Sequence, residues 1–337
     1  MTPTTTTSTL TMVLPDMVAL PHFAHPTINP PVRHPAAVTV IIERDDMKTH
    51  PLTALQVIGV RYRGSTPAEN DERALDAYAA SGVYHAASVP TTISEPRMPA
   101  TQRRIDEPSN LGWICRAIAD DVAAAHARGR APLIVGGDCT HAVGVVAGLQ
   151  RSHGPNARIG LVWFDAHGDY NTPRTTLSGM LGGMPVAVCA GLALPQWRDL
   201  AGMQAPLPTD RIMLVDARNL DPPEEQLIRA TETAIADVND FAGPLASLAA
   251  ACDVLYLHVD SDILEAALVP NHATREPDGP GLSEVSAAID TVMATGKVGA
   301  FAVVSVYGAG PGSDISVASG TALIRAGLEA WARHGTV

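Results

Sequence analysis

The sequence predicts an α/β protein built on a mostly parallel, doubly wound sheet. Two observations lead to this fold class. Short runs rich in Val, Ile and Leu alternate along the chain with segments whose apolar residues recur at helical spacing. The short runs are apolar at nearly every position, which is expected where helices cover both faces of a parallel sheet. The chain has 337 residues, 46% of them hydrophobic, so it can bury a large core.

The strands and helices can be placed in order along the chain. Strands are predicted at residues 37–42, 55–62, 133–135, 159–164, 212–215, 254–259 and 301–306. Helices are predicted at residues 72–80, 111–127, 142–150, 224–236, 283–294 and 321–332. In the second of these helices, Ile114, Ile118 and Val122 share one apolar stripe, and Asp120 falls outside it.

Residues 1–35 differ from the rest of the chain in composition. They are rich in Thr, Pro and His, and we predict an irregular N-terminal arm there. After residue 50 the sequence contains neither an internal repeat nor a Gly/Ser-rich linker. Residues 36–337 are therefore predicted to form a single α/β domain.

Charge and cysteine content narrow the possible functions. The chain has 23 Lys and Arg against 35 Asp and Glu, a formal net charge of -12, which argues against binding to nucleic acid phosphates. No apolar stretch is long enough to span a bilayer, and the N-terminus lacks the basic segment of a signal peptide. The four cysteines are widely spaced without a Cys-x-x-Cys pair, which favours reduced thiols. We therefore expect a soluble cytoplasmic protein with no nucleic-acid or membrane partner.

Four short motifs carry the chemistry of this chain, and three of them follow predicted strands. The motifs are Gly136-Gly137-Asp138-Cys139, Asp165-Ala166-His167-Gly168-Asp169, Asn171-Thr172-Pro173 and Asp260-Ser261-Asp262. Residues i, i+2 and i+4 of an extended chain point the same way, so the side chains of an Asp-x-His-x-Asp sequence can face one point. In open parallel sheets, ligands collect beyond the carboxyl ends of the strands, where these motifs would meet. Carboxylates and an imidazole there can hold two divalent ions, with a thiol as a further donor.

Each motif taken alone has a simpler interpretation. An Asp-x-Asp pair often ends a strand or caps a helix, Asp138 could cap the helix that follows it, and Cys139 could be a buried inert thiol. However, two carboxylates and a histidine directly after a buried strand are costly without a cation. The joint occurrence of the motifs at strand ends therefore favours a paired metal site. A nucleotide-binding protein is disfavoured, because the Gly-Gly pair belongs to neither a Gly-x-Gly-x-x-Gly nor a Walker loop.

The motifs and their order resemble those of the ureohydrolase superfamily, which includes arginase and agmatinase. The order in that family is Gly-Gly-Asp-His-Ser, then Asp-Ala-His-x-Asp-x-Asn-Thr-Pro, then Asp-Val-Asp-x-Asp. Residues 165–173 fit the second motif almost letter for letter, residues 258–262 fit the third, and the resemblance covers residues 50–335. It implies a three-layer α/β/α fold of the arginase type and a dinuclear, usually manganese, centre that hydrolyses a C–N bond of a guanidino or amidino group. It also implies a homo-oligomer, either a trimer or a hexamer.

The resemblance assigns roles to individual residues. The six implied metal ligands are Cys139, Asp165, His167, Asp169, Asp260 and Asp262. Asp165 and Asp260 would bridge both ions. Cys139 and Asp169 would complete the shell of one ion, and His167 and Asp262 that of the other. Asp169 would also orient a bridging hydroxide, which is the nucleophile in this family.

Three departures from the family pattern limit what the resemblance implies about metal and substrate. Cys139 stands where relatives have a histidine ligand, and its softer thiolate leaves zinc, iron or cobalt as alternatives to manganese. Gly182 falls at the position of the histidine thought to pass a proton to the leaving amine. Ser305 falls where relatives carry the glutamate that pairs with the guanidinium, and a neutral hydroxyl cannot give that bidentate charge pairing.

Other residues are candidates for work on the substrate. Asn171 and Ser178 lie where relatives bind the polar end of an amino-acid substrate. His272 could supply the missing proton, although an ordinary exposed loop histidine is the simpler interpretation. Glu276 could pair with the substrate in place of the missing carboxylate, or could simply pair with Arg275.

The expected function is that of a binuclear metallohydrolase acting on a small C–N substrate other than plain arginine. A modified guanidine, a ureido group or an amide-like group would suit a pocket that lacks the glutamate. The alternative is a non-catalytic arginase-fold protein that binds a ligand or partner, since the proton shuttle and the guanidinium anchor are both missing. Five of the six ligands match the family, whereas a decaying site would also lose buried carboxylates, because buried unpaired charges destabilise. The pattern therefore favours the enzyme.

Overall fold

The computed structural model describes residues 52–335 of the chain, and the predicted arm at 1–35 and the predicted strand at 37–42 lie outside them. The strands of the described part are β1 (Leu55–Val60), β2 (Tyr62–Arg63), β3 (Thr66–Pro67), β4 (Thr91–Ser94), β5 (Ala131–Gly136), β6 (Ile159–Phe164), β7 (Ile212–Val215), β8 (Ala234–Ala236), β9 (Val254–Asp260) and β10 (Val298–Val304). The helices are α1 (Leu75–Ser81), α2 (Glu107–Ala127), α3 (Ala142–His153), α4 (Pro185–Cys189), α5 (Pro195–Ala201), α6 (Pro222–Arg229), α7 (Ala242–Ala251), α8 (Leu282–Met293) and α9 (Ser313–His334).

Eight strands form one sheet in the order β4-β1-β5-β10-β9-β6-β7-β8, and each neighbouring pair is parallel. β2 and β3 form a separate antiparallel pair. The chain begins at one edge with β1 and β4, reaches the other edge at β8, and returns to place β9 and β10 in the middle between β5 and β6. This parallel sheet with crossovers in both directions confirms the predicted doubly wound α/β class. The topology also makes β5, β10, β9 and β6 consecutive neighbours, and the polar motifs follow or end these strands.

Alternating strand residues supply two apolar cores, one on each face of the sheet. In β5, Leu133 and Val135 pack with the helices α1, α7, α8 and α9, whereas Ile134 packs with α2, α3, α4 and α5. Burying one such side chain contributes about 1.5–3 kcal/mol relative to leaving it exposed. Helices therefore cover both faces, and the sheet is the middle of three layers.

Helices α2 and α3 are placed by local sequence features. Asp106 precedes α2, and its side chain accepts a hydrogen bond from the Ser109 amide at 3.0 Å, which satisfies one of the free donors of the first turn. In α3, a Cβ at Gly144 would lie 2.5 Å from the carbonyl oxygen of Cys115. Only glycine permits this close approach of the two helices, which fixes the start of α3 behind the end of β5.

One predicted helix is wrong in its second half. The segment 224–236 divides into α6, which ends at Arg229, and β8, which pairs in parallel with β7. Between them, Thr231 donates to the carbonyl of Ile228, and the Thr233 hydroxyl lies 3.0 Å from the Tyr170 hydroxyl. Pairing with the edge of β7 therefore stabilises residues 234–236 as a strand, although the sequence pattern predicts a helix there.

Other differences concern the extent of elements. The predicted strand at 301–306 begins earlier, at Val298, and ends at Val304, because Ser305 adopts a left-handed backbone conformation with φ of +60°. The last helix is longer than predicted, and β4, α4, α5 and α7 were not predicted. Within residues 52–335, none of the helices combines the length and the apolar character needed to cross a bilayer.

Candidate metal centre

The carboxyl ends of four neighbouring strands converge on one cavity of about 650 Å³. Cys139 follows β5, Asp165 follows β6, Asp260 is the last residue of β9, and Ser305 follows β10. Parallel pairing brings these ends to the same edge of the sheet, which is where ligands bind in open α/β sheets.

All six predicted ligands lie together, and His272 joins them. Their donor atoms fall into three groups, within each of which the atoms lie no more than 4.8 Å apart: Cys139, Asp165 and Asp169; Asp165, His167 and Asp262; and Asp260, Asp262 and His272. Cys139 Sγ is 2.9 Å from Asp260 Oδ2 and 3.5 Å from Asp165 Oδ2. His167 Nδ1 is 3.2 Å from Asp165 Oδ1 and 3.2 Å from Asp262 Oδ2. The groups share Asp165 and Asp262, so the donors form one continuous set.

The backbone turns after β6 and after β9, and each turn is stabilised by the carboxylate of the aspartate at its start. Asp165 Oδ1 accepts a hydrogen bond from the His167 amide at 2.7 Å, and Asp260 Oδ1 accepts one from the Asp262 amide at 2.9 Å. Asp169 adopts a left-handed backbone conformation with φ of +48°, and its carbonyl accepts from the Val186 amide at the start of α4. The strained residue therefore lies at the donor set, where such conformations are held by surrounding contacts.

Negative charge is concentrated at this point. Burial raises the pKa of Asp165 well above its ordinary value, and the nearby Asp262 and Asp169 add to the shift. Burial, followed by the charge of Asp260, raises the pKa of the Cys139 thiol in the same way. For His167, burial opposes protonation, but hydrogen bonds to Asp165 and Asp262 raise its pKa to about 12. Protons are thus retained at Asp165, Cys139 and His167. At Asp260, burial opposes ionisation, but contacts with His272 and the Asp262 amide lower the pKa of the carboxyl.

The donor set fits divalent cations. In the part of the chain that the structure describes, no lysine or arginine forms an ion pair with Asp165, Asp169 or Asp260. Buried carboxylates without such partners are costly unless a proton or a metal ion neutralises them. Carboxylate oxygens and imidazole nitrogens are suitable ligands for manganese, and the thiol adds affinity for softer ions such as zinc.

Asp138 has the structural role that the simpler interpretation gave it. Its side chain accepts from the Thr140 amide at 3.2 Å and from the Gly64 amide at 2.7 Å, and so caps the turn that begins α3. His141 places Nε2 2.9 Å from the carbonyl oxygen of Gly64, away from the donor groups. Neither residue joins the donor set.

His272 is buried, with 3% of its surface exposed, so its interpretation as an exposed loop histidine is wrong. Its Nε2 lies 3.4 Å from Asp260 Oδ1 in a geometry that does not form a hydrogen bond, and Nδ1 accepts from the Thr274 amide at 3.2 Å. The nitrogen Nε2 is therefore a buried polar atom beside the carboxylates and is available to a ligand.

Glu276 also faces the cavity. Its Oε1 accepts from Asn219 Nδ2 at 2.7 Å and lies 3.3 Å from His167 Nε2. Arg275 donates instead to the carbonyl oxygen of His272 at 3.0 Å. The alternative that Glu276 serves only to pair with Arg275 is wrong.

The remaining predicted substrate residues differ in their burial and in their hydrogen bonds. Ser305 is buried and donates its hydroxyl to Asp260 Oδ2 at 2.5 Å. Asn171 is buried and donates to Asp221. Ser178 is exposed at the mouth of the cavity, and a Cβ at the nearby Gly182 would have no atom within 4 Å. The cavity therefore has a hydrogen-bonded base and an open mouth.

Sequence reasoning missed one group of residues beneath the donors. His258 is fully buried and stacks on Trp163, with ring centroids 3.7 Å apart and planes at 4°. Its Nδ1 lies 2.8 Å from the Tyr256 hydroxyl, and its Nε2 lies 3.3 Å from Cys139 Sγ. Burial lowers the pKa of His258 to about 3, so the ring is neutral. Strand periodicity indicates only the part of this group on β9, because residues 256, 258 and 260 share one face of that strand.

Comparison with known proteins agrees with this architecture. The model of the arginase family matches residues 63–327. The chain therefore belongs to the arginase family. It is 31% identical over 156 residues to an arginase of Bacillus caldovelox, covering 44% of this chain and 51% of that one. It is 28% identical over 251 residues to an arginase of Neurospora crassa, covering 69% of this chain and 70% of that one. The chain thus spans about half the length of the first curated arginases it matches.

Solved structures show the same fold. An arginase of Entamoeba histolytica, solved in complex with L-ornithine, superposes with a TM-score of 0.73 at 21% identity, covering 82% of this chain and 99% of that one. A formimidoylglutamase of Bacillus subtilis superposes with a TM-score of 0.63 at 14% identity, covering 89% and 96% of the two chains. The arginase-type fold expected from the motifs is confirmed.

Proposed function

We propose that this arginase-family chain is a binuclear metal-dependent hydrolase that cleaves a C–N bond of a small guanidino- or amidino-type substrate. The substrate group is a modified guanidine, a ureido group or an amide-like group, and plain arginine is disfavoured. One observation carries the proposal: three donor groups overlap through Asp165 and Asp262. Overlapping groups of donors are what a pair of adjacent ions requires.

The residues that would hold the two ions follow from these contacts and from the family pattern. Cys139 and Asp169 would hold one ion, and His167 and Asp262 the other, with Asp165 between them. Asp260 would be the second shared ligand, since its Oδ2 lies 2.9 Å from Cys139 Sγ and it belongs to one donor group with Asp262. When bound, two divalent ions lower the pKa of a shared water and polarise the carbon under attack. Manganese is the first candidate, and the thiol leaves zinc, iron or cobalt as alternatives.

The chain's own side chains would orient the reaction. Asp169 is buried beside Cys139 and Asp165, and its carboxylate would accept a hydrogen bond from the attacking water. His272 would hold a proton at Nε2 and pass it to the leaving amine, because that nitrogen is buried at the cavity without a hydrogen bond. Placement of His272 beside Asp260 supports a proton at this position, since an adjacent carboxylate raises the pKa of an imidazole that burial would lower.

The cavity supports a substrate other than plain arginine. Ser305 donates its hydroxyl to Asp260 and cannot offer a charged fork to a guanidinium. Glu276 remains as a carboxylate at the cavity, and its Oε1 is already held by Asn219. Asn171 and Ser178 are proposed to position the polar end of the substrate. A group with less charge than an unmodified guanidinium fits this combination.

The proposal is tested by counting ions and by screening substrates. Protein purified without chelator is measured by mass spectrometry, and we expect close to two ions per chain. Asp262→Asn should lower that number, whereas Asp199→Asn, the same change at an exposed residue outside the cavity, should leave it unchanged. The loaded protein is then assayed with an N-hydroxyguanidine, a ureido compound, an amide and arginine.

The outcomes separate the alternatives. Hydrolysis of a modified substrate faster than arginine supports the proposal, and preferred hydrolysis of arginine contradicts the substrate assignment. Two bound ions without hydrolysis of any of these groups would instead favour the non-catalytic binding protein.

We also propose that the protein is a homo-oligomer, either a trimer or a hexamer. Light scattering on the full chain measures the mass of the assembly.

A further inference from the structure

A stacked pair of aromatic rings lies beneath the donor set, and the proposed hydrolysis gives it no role. Trp163 of β6 and His258 of β9 are direct partners in the sheet register and stack face to face. Their ring nitrogens reach two different proposed ligands. Trp163 Nε1 donates to Asp165 Oδ2 at 3.2 Å, and His258 Nε2 lies 3.3 Å from Cys139 Sγ. Each ring nitrogen thus contacts one atom of a proposed metal ligand.

The hydroxyl of Tyr256 determines which nitrogen of His258 carries the proton. This hydroxyl is buried, lies 2.8 Å from Nδ1, and has no other hydrogen-bond partner among the described residues. When Tyr256 donates to Nδ1, Nε2 carries the ring proton and donates to Cys139 Sγ. In the opposite tautomer, the tyrosine proton has no acceptor, and the Nε2 lone pair faces the sulfur. A thiolate would then meet a second lone pair, so only the first arrangement satisfies every atom.

We propose that His258 is a positioning residue whose Nε2–H donates a hydrogen bond to the sulfur of Cys139 and so sets how strongly that thiolate binds a metal ion. Tyr256 fixes the tautomer, and Trp163 fixes the plane of the ring. A hydrogen bond to a thiolate withdraws electron density from sulfur and holds it in one direction. The inference rests on the proposed function, because it requires Cys139 to be a ligand.

The experiment uses Co²⁺ as a spectroscopic probe in the full-length protein. A thiolate bound to Co²⁺ gives a near-ultraviolet charge-transfer band, whose energy reports the electron density on sulfur. His258→Phe keeps a ring for the stack on Trp163 and removes the N–H. We expect this variant to move the band to lower energy and to weaken Co²⁺ binding by about 10- to 100-fold, the usual effect of removing a partner of a metal ligand. His258→Gln places an amide N–H at similar reach and should restore the band in part.

Two tyrosine variants provide a matched comparison. Tyr256→Phe leaves His258 in place and removes the hydroxyl that fixes its tautomer, so we expect a smaller shift in the same direction. Tyr78→Phe is the same change at a buried tyrosine of the other core, whose hydroxyl has no hydrogen-bond partner among the described residues. It should leave the band and the Co²⁺ affinity unchanged. If His258→Phe fails to give a cooperative thermal transition, the comparison of the two tyrosine variants still decides the proposal.

Each result has a defined meaning. An unchanged band in both His258→Phe and Tyr256→Phe, with Co²⁺ bound as tightly as in the parent chain, would overturn the proposal. Loss of one bound ion in His258→Phe even at saturating Co²⁺ would also overturn it, since His258 would then be a ligand itself. A parent chain that binds Co²⁺ without a charge-transfer band removes Cys139 from the ligands and the inference with it. Failure to bind Co²⁺ at all would contradict the proposed function, which the ion count detects separately from the position of the band.

Discussion

The floor and the rim of the cavity differ in how firmly the chain holds them. The floor consists of the strand ends that carry Asp165, Asp260 and Asp262, whose surfaces are 1–3% exposed. The rim is the loop at residues 172–184, in which Leu177 is 73% exposed. The floor is part of a hydrogen-bonded sheet covered on both faces, whereas the rim is a surface loop. The proposed metal ligands thus lie in the part of the cavity that the sheet holds, whereas the proposed substrate residue Ser178 lies on a surface loop.

The departures from the family pattern follow the same division. Two of them lie on the floor, and each has a partner there: Cys139 lies against His258, and Ser305 donates to Asp260. The third, Gly182, lies at the rim, where a Cβ would meet nothing within 4 Å. A change on the floor is therefore expected to have a large effect that depends on its neighbours, and a change at the rim a small and independent one.

Among changes to the floor, we expect Asp165→Asn to have the largest effect on activity. This change removes a charge from a residue that belongs to two of the three donor groups. A catalytic metal ion contributes several kcal/mol to the barrier, and a loss of about 4 kcal/mol corresponds to a rate lower by roughly 10³-fold. Steady-state kinetics on metal-saturated protein, with Asp199→Asn as the control, measures it. Full activity with two ions bound would show that Asp165 is dispensable.

His272→Asn tests whether this buried residue acts on the substrate or holds an ion. We expect kcat to fall by about 10²-fold with the ion count unchanged, because general acid catalysis contributes about that much. A substrate with a more acidic leaving group, or imidazole added to the buffer, should recover part of the rate. A lower ion count would instead make His272 a ligand, as its group with Asp260 and Asp262 permits.

Cys139→His tests whether the thiolate sets the choice of metal. Replacing a soft donor by an imidazole should raise the affinity for Mn²⁺ relative to Zn²⁺ by roughly 10-fold. Competition between the two ions, followed by mass spectrometry, gives that ratio. The new ring would approach His258, so the double variant with His258→Ala makes room and serves as the control for crowding.

Cys139→Ala tests whether Cys139 is a ligand at all. This change should lower the metal occupancy, and unchanged metal occupancy would remove Cys139 from the ligands.

The same division explains what the sequence could predict. The bounds of β6 and β7 follow from apolar runs alone, and the three motifs at strand ends have local spacing that brings donors to one edge of the sheet. The segment 224–236 could not be resolved in this way, because its last residues become a strand only by pairing with β7. The sequence pattern predicts an element correctly where burial and spacing indicate the same structure. Pairing at an edge of the sheet can change the structure that the pattern alone would predict.

The position of His272 shows a second limit. No periodicity places it, since the chain between Asp262 and α8 follows an irregular path. Its ring packs edge-to-face against Tyr307, which follows β10, with the ring centroids 5.2 Å apart. The role of His258 was missed for another reason. It belongs to a recognised motif, but its partners Trp163 and Cys139 come from other strands and are brought together only by the sheet order.

Ser178→Ala should have the smallest effect, because it changes the rim alone. Ser178 is exposed and its Oγ accepts from the Met180 amide, so loss of the hydroxyl should leave the free energy of unfolding within about 0.5 kcal/mol of the parent. If the hydroxyl binds the polar end of the substrate, KM should rise by roughly 2- to 12-fold, the value of one neutral hydrogen bond, with kcat unchanged. Gly182→Ala is the control on the same loop, since its methyl group has open space and should alter neither constant. A fall in kcat for Ser178→Ala would place this rim residue in the chemical step and so break the separation between floor and rim.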